Sequence, residues 1–254
     1  LSGDETYKAW HFTSYDNPLL DPDEIDVAKK SMSSYAFRQE FMASFEAMGS
    51  EIFKEDWVKF SSDEPDIGDY YIAVDLAGFA DVQSATKSKN KKLDQTAIAI
   101  VKANEEGWWV ADIVHGRWDI KKTARKIFEA VNAYQPVAVG IEKGALKNAV
   151  LPYLTDLMKS QQRFFRVEEL THGNKKKTDR VVWALQGRFE HGQITLNEGD
   201  WNPQFLDELF QFPNALVHDD LVDALAYIDQ LAKVSYYYDY EEDDFEILDP
   251  VAGY

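Results

Sequence analysis

Five short apolar segments constrain the fold of this chain more than any other feature of its sequence. The first three, at 70–78, 96–107 and 108–119, have no helical stretch between them, and an acidic, glycine-ended turn predicts a hairpin between the second and third. The other two, at 136–144 and 164–170, each follow a stretch with helical periodicity. This order predicts an α/β fold with a mixed five-stranded sheet, three antiparallel strands preceding the parallel ones, flanked by helices.

Composition divides the chain into three parts. The sequence of residues 1–62 predicts helices and turns. The acidic, turn-rich stretch at 61–68 marks a boundary. We expect the main folded domain to cover 63–238. Residues 239–254 contain seven acidic and no basic residues, so we expect a mobile acidic tail with embedded aromatic residues. Because the sequence begins at Leu1, we expect it to be a fragment or a processed chain.

Several classes of protein are excluded by composition. The 254 residues include no cysteine, which excludes a disulfide scaffold, a thiol nucleophile and a thiolate zinc site. No run of eighteen apolar residues occurs, so we expect no membrane-spanning helix and no membrane partner. No GxxxxGK[ST] motif is present for ATP hydrolysis by a phosphate-binding loop. The formal charge of −18 argues against nonspecific nucleic-acid binding by the whole chain, but the net negative charge lies mostly at its two ends and the middle is near neutral.

Carboxylates stand at the ends of apolar segments. Asp75 lies in the first predicted strand and Glu142 near the end of the fourth, where a buried charge is costly unless it is paired. Asp219, Asp220 and Asp223 open a predicted helix. One acid at a helix start is explained by N-capping, but three acids within five residues exceed what a cap requires.

Neighbouring strands that carry Asp75 and Glu142 would bring both carboxylates to one end of the sheet, where Asp219 and Asp220 could join them. An all-oxygen cluster repels itself unless hard cations lie within it, which favours Mg²⁺ or Mn²⁺. Two such ions can activate water and stabilise the leaving oxygen of a phosphodiester. The alternative is that the acids are separate and structural.

Two basic stretches could contact the phosphates of a polyanion, although a lone run of lysines is usually a solvated loop. Both lie in the segment that holds the carboxylates. The candidate DNA-binding residues are Lys87, Lys89, Lys91, Lys92, Lys175, Lys176, Lys177 and Arg180.

An ordered set of motifs spans most of residues 10–228, and through it the chain resembles the C-terminal nuclease part of the tailed-bacteriophage large terminases. No single string is decisive, but the set is fairly specific. The motifs are WHFTSYDNPLL at 10–20, YAFRQEFMASFEAMGSEIF at 35–53, IAVDLAG at 72–78, DQTAIAIV at 94–101, GIEKGALKNAVLPYL at 140–154, KTDRVVWALQGRFEHGQITL at 177–196 and HDDLVDALAY at 218–227.

The resemblance implies an RNase H-like fold and a metal-dependent endonuclease that cuts concatemeric double-stranded viral DNA during genome packaging. By motif, Asp75, Glu142 and the pair Asp219 and Asp220 take the metal-ligand positions, and we favour Asp220 as the catalytic member of that pair. Asp94 matches an acid near a second metal in similar proteins, although a turn residue at a strand start explains it equally well. The resemblance leaves Asp223 as a supporting acid outside the ligand set.

The same resemblance implies partners and a location. They are double-stranded DNA, an ATPase domain of the same full-length chain, the portal ring and the small terminase subunit, in the host cell cytoplasm. The sequence departs from the family in two respects. It lacks the ATPase domain, so that 1–62 resembles only the segment joining the two domains, and its lysine-rich stretch between Asp75 and Asp94 is longer than the simplest pattern.

Two alternatives remain open. An RNase H-like resolvase or transposase would use the same carboxylates, but the first sixty or so residues favour a terminase. A non-catalytic docking module of a packaging motor would bind a partner such as the portal ring through the acidic aromatic tail.

Overall fold

The computed structural model describes residues 10–44, 52–77, 95–171, 176–214 and 217–236. The predicted tail at 239–254 and the lysine-rich stretch that follows the first long strand lie outside these ranges.

A mixed sheet forms the centre of the molecule, as the order of apolar segments predicts. Within the described residues it has seven strands in the order β1-β7-β4-β3-β2-β5-β6. The strands β2, β3 and β4 are antiparallel, whereas β5 pairs in parallel with β2 and β6 in parallel with β5. Their bounds are β1 Lys59–Phe60, β2 Asp69–Asp75, β3 Thr96–Asn104, β4 Gly107–Gly116, β5 Ala138–Glu142, β6 Val167–Leu170 and β7 Ile194–Leu196.

The five predicted strands correspond to β2–β6, and their predicted directions are confirmed. The strands β1 and β7 extend the sheet beyond β4 and have only two and three residues. Segments this short carry no readable alternation of apolar and polar residues, which is why the sequence does not reveal them.

Helices cover both faces of the sheet. They are α1 Pro22–Ser31, α2 Ser34–Glu40, α3 Ile120–Tyr134, α4 Ala145–Ser160, α5 Lys177–Val181, α6 Gly187–Glu190, α7 Asn202–Gln211 and α8 Asp220–Tyr236. A π-helical segment at Val182–Gln186 joins α5 to α6, so the helical stretch from Lys177 to Glu190 is continuous but locally widened. No helix in the described ranges combines the length and the apolar character that a membrane crossing requires.

Successive side chains of each strand face opposite sides of the sheet, so the strands contribute to two hydrophobic cores. In β2, Ile72 and Val74 face α3 and α4, whereas Tyr71 and Ala73 belong to the core that contains α8. Alanines line the second face, at Ala73 in β2 and at 97 and 99 in β3, and their small side chains let α8 pack closely on the sheet. The last residues of β2 and β5 therefore lie beside the start of α8.

Residues before the first long strand also contact this core. Ile52 and Phe53 are buried in the core that contains α8, and Gln186 donates a hydrogen bond from Nε2 to the Ile52 carbonyl at 2.9 Å. Ser34 donates its backbone N–H to Glu190 Oε2 at 2.8 Å. Part of the segment at 1–62 thus packs on the domain, while the boundary at 62/63 stays a prediction.

Candidate active site

Asp75 and Glu142 lie at the same end of the sheet and on the same face. Val74 of β2 is paired with Ile141 of β5, so the residues that follow them are neighbours across two parallel strands. Asp75 alternates with Ala73, and Glu142 alternates with Ala138, and both of these alanines belong to the core that contains α8. The two carboxyl groups therefore project toward α8, as their positions at strand ends predict.

A hydrogen bond joins the carboxyl groups of Asp75 and Glu142. Such a bond requires a proton on one of the two groups, because an ionised carboxylate only accepts hydrogen bonds. Burial raises the pKa of Asp75 well above its usual value, and the negative charge of Asp223 and the bond with Glu142 raise it further. The Asp75 carboxylate is therefore unfavourable unless a proton or a cation lies beside it.

The start of α8 is capped by a residue from another helix. Glu208 of α7 accepts the backbone N–H of Leu221 at Oε2 over 2.8 Å and that of Val222 over 3.4 Å. Its carboxylate also complements the positive end of the helix dipole. Because Glu208 caps the helix, N-capping is not needed to explain the acids at 219 and 220. Their side chains have other partners.

Asp219 and Asp223 share a cation. The ammonium of Lys177 lies 2.8 Å from Asp219 Oδ1 and 2.6 Å from Asp223 Oδ2. The other oxygen of Asp223 accepts a hydrogen bond from Arg180 Nη2, and the Arg180 guanidinium stacks over the Tyr227 ring at 4.0 Å. Burial raises the pKa of Asp223, and the charges of Lys177 and Arg180 oppose that rise.

Asp220 contacts Gln95 and His218. Its Oδ2 accepts the backbone N–H of Gln95 at 2.8 Å and lies 3.6 Å from His218 Nδ1. Gln95 directly precedes β3, and its side-chain Oε1 lies 3.0 Å from His115 Nδ1. Asp220 therefore ties the start of β3 to the start of α8, and this tie fixes the position of the residue that follows Asp94 in the chain.

The structure brings Asp75 within electrostatic reach of Glu142 and Asp223, with Asp219 joined to Asp223 through Lys177. The sequence favours Asp220 as the ligand from this helix and leaves Asp223 in support, and that assignment stays a prediction. The contacts place Asp223 near Asp75 and place Asp220 against the Gln95 backbone. Among the residues that the structure describes, no three acidic or histidine side chains are arranged to hold a metal ion. Their oxygens instead pair with the proton, the ammonium and the guanidinium described above.

The candidate DNA-binding residues fall into three groups. Lys176 is exposed, as a phosphate contact requires. Lys177 pairs with two acids, and Arg180 is buried with its side chain only 9% exposed, so the structure does not leave Arg180 on a surface that DNA could contact. Asp94 and the remaining lysines lie outside the described residues, namely Lys87, Lys89, Lys91, Lys92 and Lys175.

Sequence reasoning misses three residues of this site. Glu208 lies in α7, whose apolar spacing at Phe205 and Leu209 after a proline-containing start could have revealed the helix. Tyr227 lies one turn beyond Asp223 on the same helix face, a spacing that places it beside the acids. Gln95 contributes through its backbone N–H, for which the sequence carries no signal.

The stability of the protein should depend on pH through Glu208. Burial raises the pKa of Glu208 to about 7, against the hydrogen bonds from Gln204 and Leu221 that lower it. Because the folded-state pKa exceeds the unfolded value of 4.5, the unfolded state loses its proton first, and the free energy of unfolding falls as pH rises between these values. The loss amounts to at most about 3 kcal/mol.

Urea unfolding of the parent and of Glu208→Gln at pH values from about 5 to about 8 measures this effect. The glutamine keeps an oxygen for the cap but cannot titrate, so the stability of the parent should fall relative to the variant. Asp207→Asn removes an exposed carboxylate from the same helix and should follow the parent. Parallel pH profiles for the parent and Glu208→Gln would contradict the expected role of Glu208.

Comparison with known proteins gives a consistent assignment. The model of a family described as the terminase RNase H-like domain matches residues 72–229. No curated protein sequence matches the chain. The fold is similar to the large terminase from a thermophilic bacteriophage in complex with ADP, with a TM-score of 0.59 and 12% identity, over 86% of this chain and 54% of that one.

A second similar structure is the human cytomegalovirus terminase nuclease domain, soaked with Mn and bound to an inhibitor. Its TM-score is 0.51 at 14% identity, and the match covers 71% of this chain and 94% of that one. The chain thus spans about half the length of the bacteriophage terminase and most of the length of the viral nuclease domain. At these identities the likeness shows a shared fold.

Proposed function

Because the chain belongs to the terminase RNase H-like domain family, we propose that it is a divalent-metal-dependent endonuclease that cuts concatemeric double-stranded viral DNA during genome packaging. The observation that carries this proposal is the approach of Asp75, Glu142 and Asp223 at one end of the sheet, from three elements far apart in sequence.

The donor set fits a hard divalent cation. Asp75, Glu142 and the acids of the α8 start offer only carboxylate oxygens, which Mg²⁺ and Mn²⁺ prefer. The proton between Asp75 and Glu142 and the ammonium between Asp219 and Asp223 are the positive charges that a metal would replace. The similar cytomegalovirus nuclease domain was soaked with Mn, which agrees with this choice of metal.

We assign ligand roles to Asp75, Glu142 and Asp223, with Asp219 and Asp220 as further candidates and Asp94 as the candidate for a second ion. Two bound ions would activate a water molecule and stabilise the leaving oxygen of the phosphodiester. The chain's own residues prepare this chemistry. The cap from Glu208 fixes the first turn of α8, which carries Asp220 and Asp223.

Arg180 positions Asp223 from behind the cluster. Its guanidinium is buried, donates to Asp223 Oδ1 and stacks over Tyr227, so the aspartate cannot rotate away without leaving a buried charge unpaired. Asp220 likewise holds the start of β3 in place, because it accepts a hydrogen bond from the Gln95 N–H. The acids are therefore held in place before any cation binds, which reduces the cost of assembling the site.

The chain spans about half the length of the bacteriophage terminase, so the partners of the complete protein are proposed as well. We propose that the nuclease domain acts beside an ATPase domain of the same full-length chain, with the portal ring and the small terminase subunit, in the host cell cytoplasm. The bacteriophage terminase was solved with ADP, which agrees with a nucleotide-binding domain in that longer chain. Within the basic stretch at 175–180, the exposed Lys176 is available to contact the DNA backbone.

Incubation of the protein with supercoiled plasmid and Mg²⁺ or Mn²⁺ tests the proposal. We expect nicked and linear products with either metal and none with a chelator. A four-way DNA junction in the same buffers separates a packaging nuclease from a resolvase. Intact plasmid in both metals, or cleavage confined to the junction, would contradict the proposed activity.

A further inference from the structure

Lys177 occupies a position that a cation binding to the acids would need. Its Nζ lies 2.8 Å from Asp219 Oδ1 and 2.6 Å from Asp223 Oδ2, and its charge also acts on Asp75. A single ammonium therefore pairs with two carboxylates at the start of α8 and lies within electrostatic reach of the one at the end of β2. Its contacts resemble those of a bound ion more than those of an ordinary surface ion pair.

Two cations serve this cluster, and their environments differ. The Arg180 side chain is 9% exposed and lies against the Tyr227 ring, so it is confined by packing. The Lys177 side chain is 44% exposed. Lys177 is the first residue of α5, and its ammonium is carried by a flexible stem with several rotatable bonds. Lys177 can therefore leave the acids through side-chain rotation alone, whereas Arg180 cannot.

We propose that Lys177 is an exchangeable counter-ion that competes with the divalent metal for Asp219 and Asp223, so that metal binds only after the ammonium has left. This inference rests on the proposed metal-dependent activity. Lys177 is a positioning residue in this scheme because it acts through the two aspartates. After leaving, its ammonium lies beside the exposed Lys176, where a DNA phosphate is its natural partner.

The exchange has a consequence for the order of binding. A DNA phosphate near α5 attracts Lys177 away from the acids and so favours metal binding, and a bound metal releases Lys177 for DNA. By thermodynamic reciprocity, each ligand then raises the affinity for the other. The protein without DNA holds metal weakly, which limits cleavage to DNA that has already engaged the site.

Titration of Mn²⁺ into the protein by calorimetry, without DNA, tests the competition. Removal of the ammonium in Lys177→Met should raise the Mn²⁺ affinity about tenfold. Lys177→Arg keeps the charge and should bind Mn²⁺ no more tightly than the parent. Lys143→Met is the matched control, since it removes an exposed lysine next to Glu142 that pairs with Glu169, and it should change the affinity by less than about twofold.

Thermal unfolding gives a second readout. Without metal, Lys177→Met should melt below the parent, because its acids have lost a counter-charge, and Mn²⁺ should raise its melting temperature more than that of the parent. Lys177→Gln, which keeps a hydrogen-bond donor without the charge, replaces the methionine variant if that variant does not fold. Parental Mn²⁺ affinity in the uncharged variants, or an equal gain in Lys143→Met, would overturn the exchange. Mn²⁺ binding that survives Asp75→Asn would instead overturn the proposed metal site itself.

Discussion

Replacement of Asp75 by asparagine should reduce metal-dependent plasmid cleavage about a thousandfold, a loss of roughly 4 kcal/mol of transition-state stabilisation. The amide has the size of the carboxyl group and can still hydrogen-bond to Glu142, but it carries no charge for a dication. The initial rate of nicking in Mn²⁺ measures the effect. Asp112→Asn changes another partly buried strand aspartate whose pKa burial raises, and it should cleave like the parent.

The same variant should be at least as stable as the parent in the absence of metal. Because the folded state raises the pKa of Asp75, this carboxyl group costs stability as the pH rises above its unfolded pKa, and asparagine removes that cost. Lost cleavage with retained stability is the pattern of a residue kept for function. Parental cleavage by Asp75→Asn, or lost cleavage accompanied by unfolding, would contradict the assignment.

The second large effect concerns the buried pair of Arg180 and Asp223, whose side chains are 9% and 4% exposed. Arg180→Met should lower the free energy of unfolding by about 3–5 kcal/mol, because a buried carboxylate loses a cation and a hydrogen bond. Asp223→Asn should have a similar cost because it leaves the guanidinium buried without a charge partner. Urea unfolding at neutral pH measures both changes.

The double variant distinguishes a coupled pair from two independent losses. Arg180→Met combined with Asp223→Asn should cost less than the sum of the single changes by about 2 kcal/mol, since neither partner is left as an unpaired charge. The exposed pair Lys126–Glu129 on α3 gives the control, and Lys126→Met should change stability by less than about 1 kcal/mol. Strict additivity of the two buried changes would show that Arg180 does not hold Asp223 in place.

Much of the sheet could be predicted because its signal is local. An apolar run that ends in a carboxylate identifies both the strand and its unusual end, as at Asp75 and Glu142, and the order of elements fixes which strands are parallel. The two short strands β1 and β7 escape prediction because their pairing depends on neighbours distant in sequence. The family resemblance extends the prediction to the fold and is confirmed by the match over residues 72–229.

At the start of α8, the sequence does not determine which of the acids faces the sheet. Three acids within five residues predict a functional cluster, but successive residues on a helix point about 100° apart, and packing decides which of them faces the sheet. That packing gives Asp223 to the cluster and Asp220 to the Gln95 backbone. The burial of Arg180 escapes prediction for a similar reason, since it depends on Tyr227, far along the chain.

The most direct measurement is the anomalous signal of a crystal of this protein soaked in Mn²⁺. We expect a peak roughly 2.0–2.6 Å from carboxylate oxygens of Asp75 and Glu142, with a ligand from the start of α8 and with Lys177 turned away from Asp219 and Asp223. A second peak near Asp94 would complete a two-ion site. A peak remote from Asp75, or a soaked crystal that binds no manganese and keeps Lys177 against Asp219 and Asp223, would contradict this expectation.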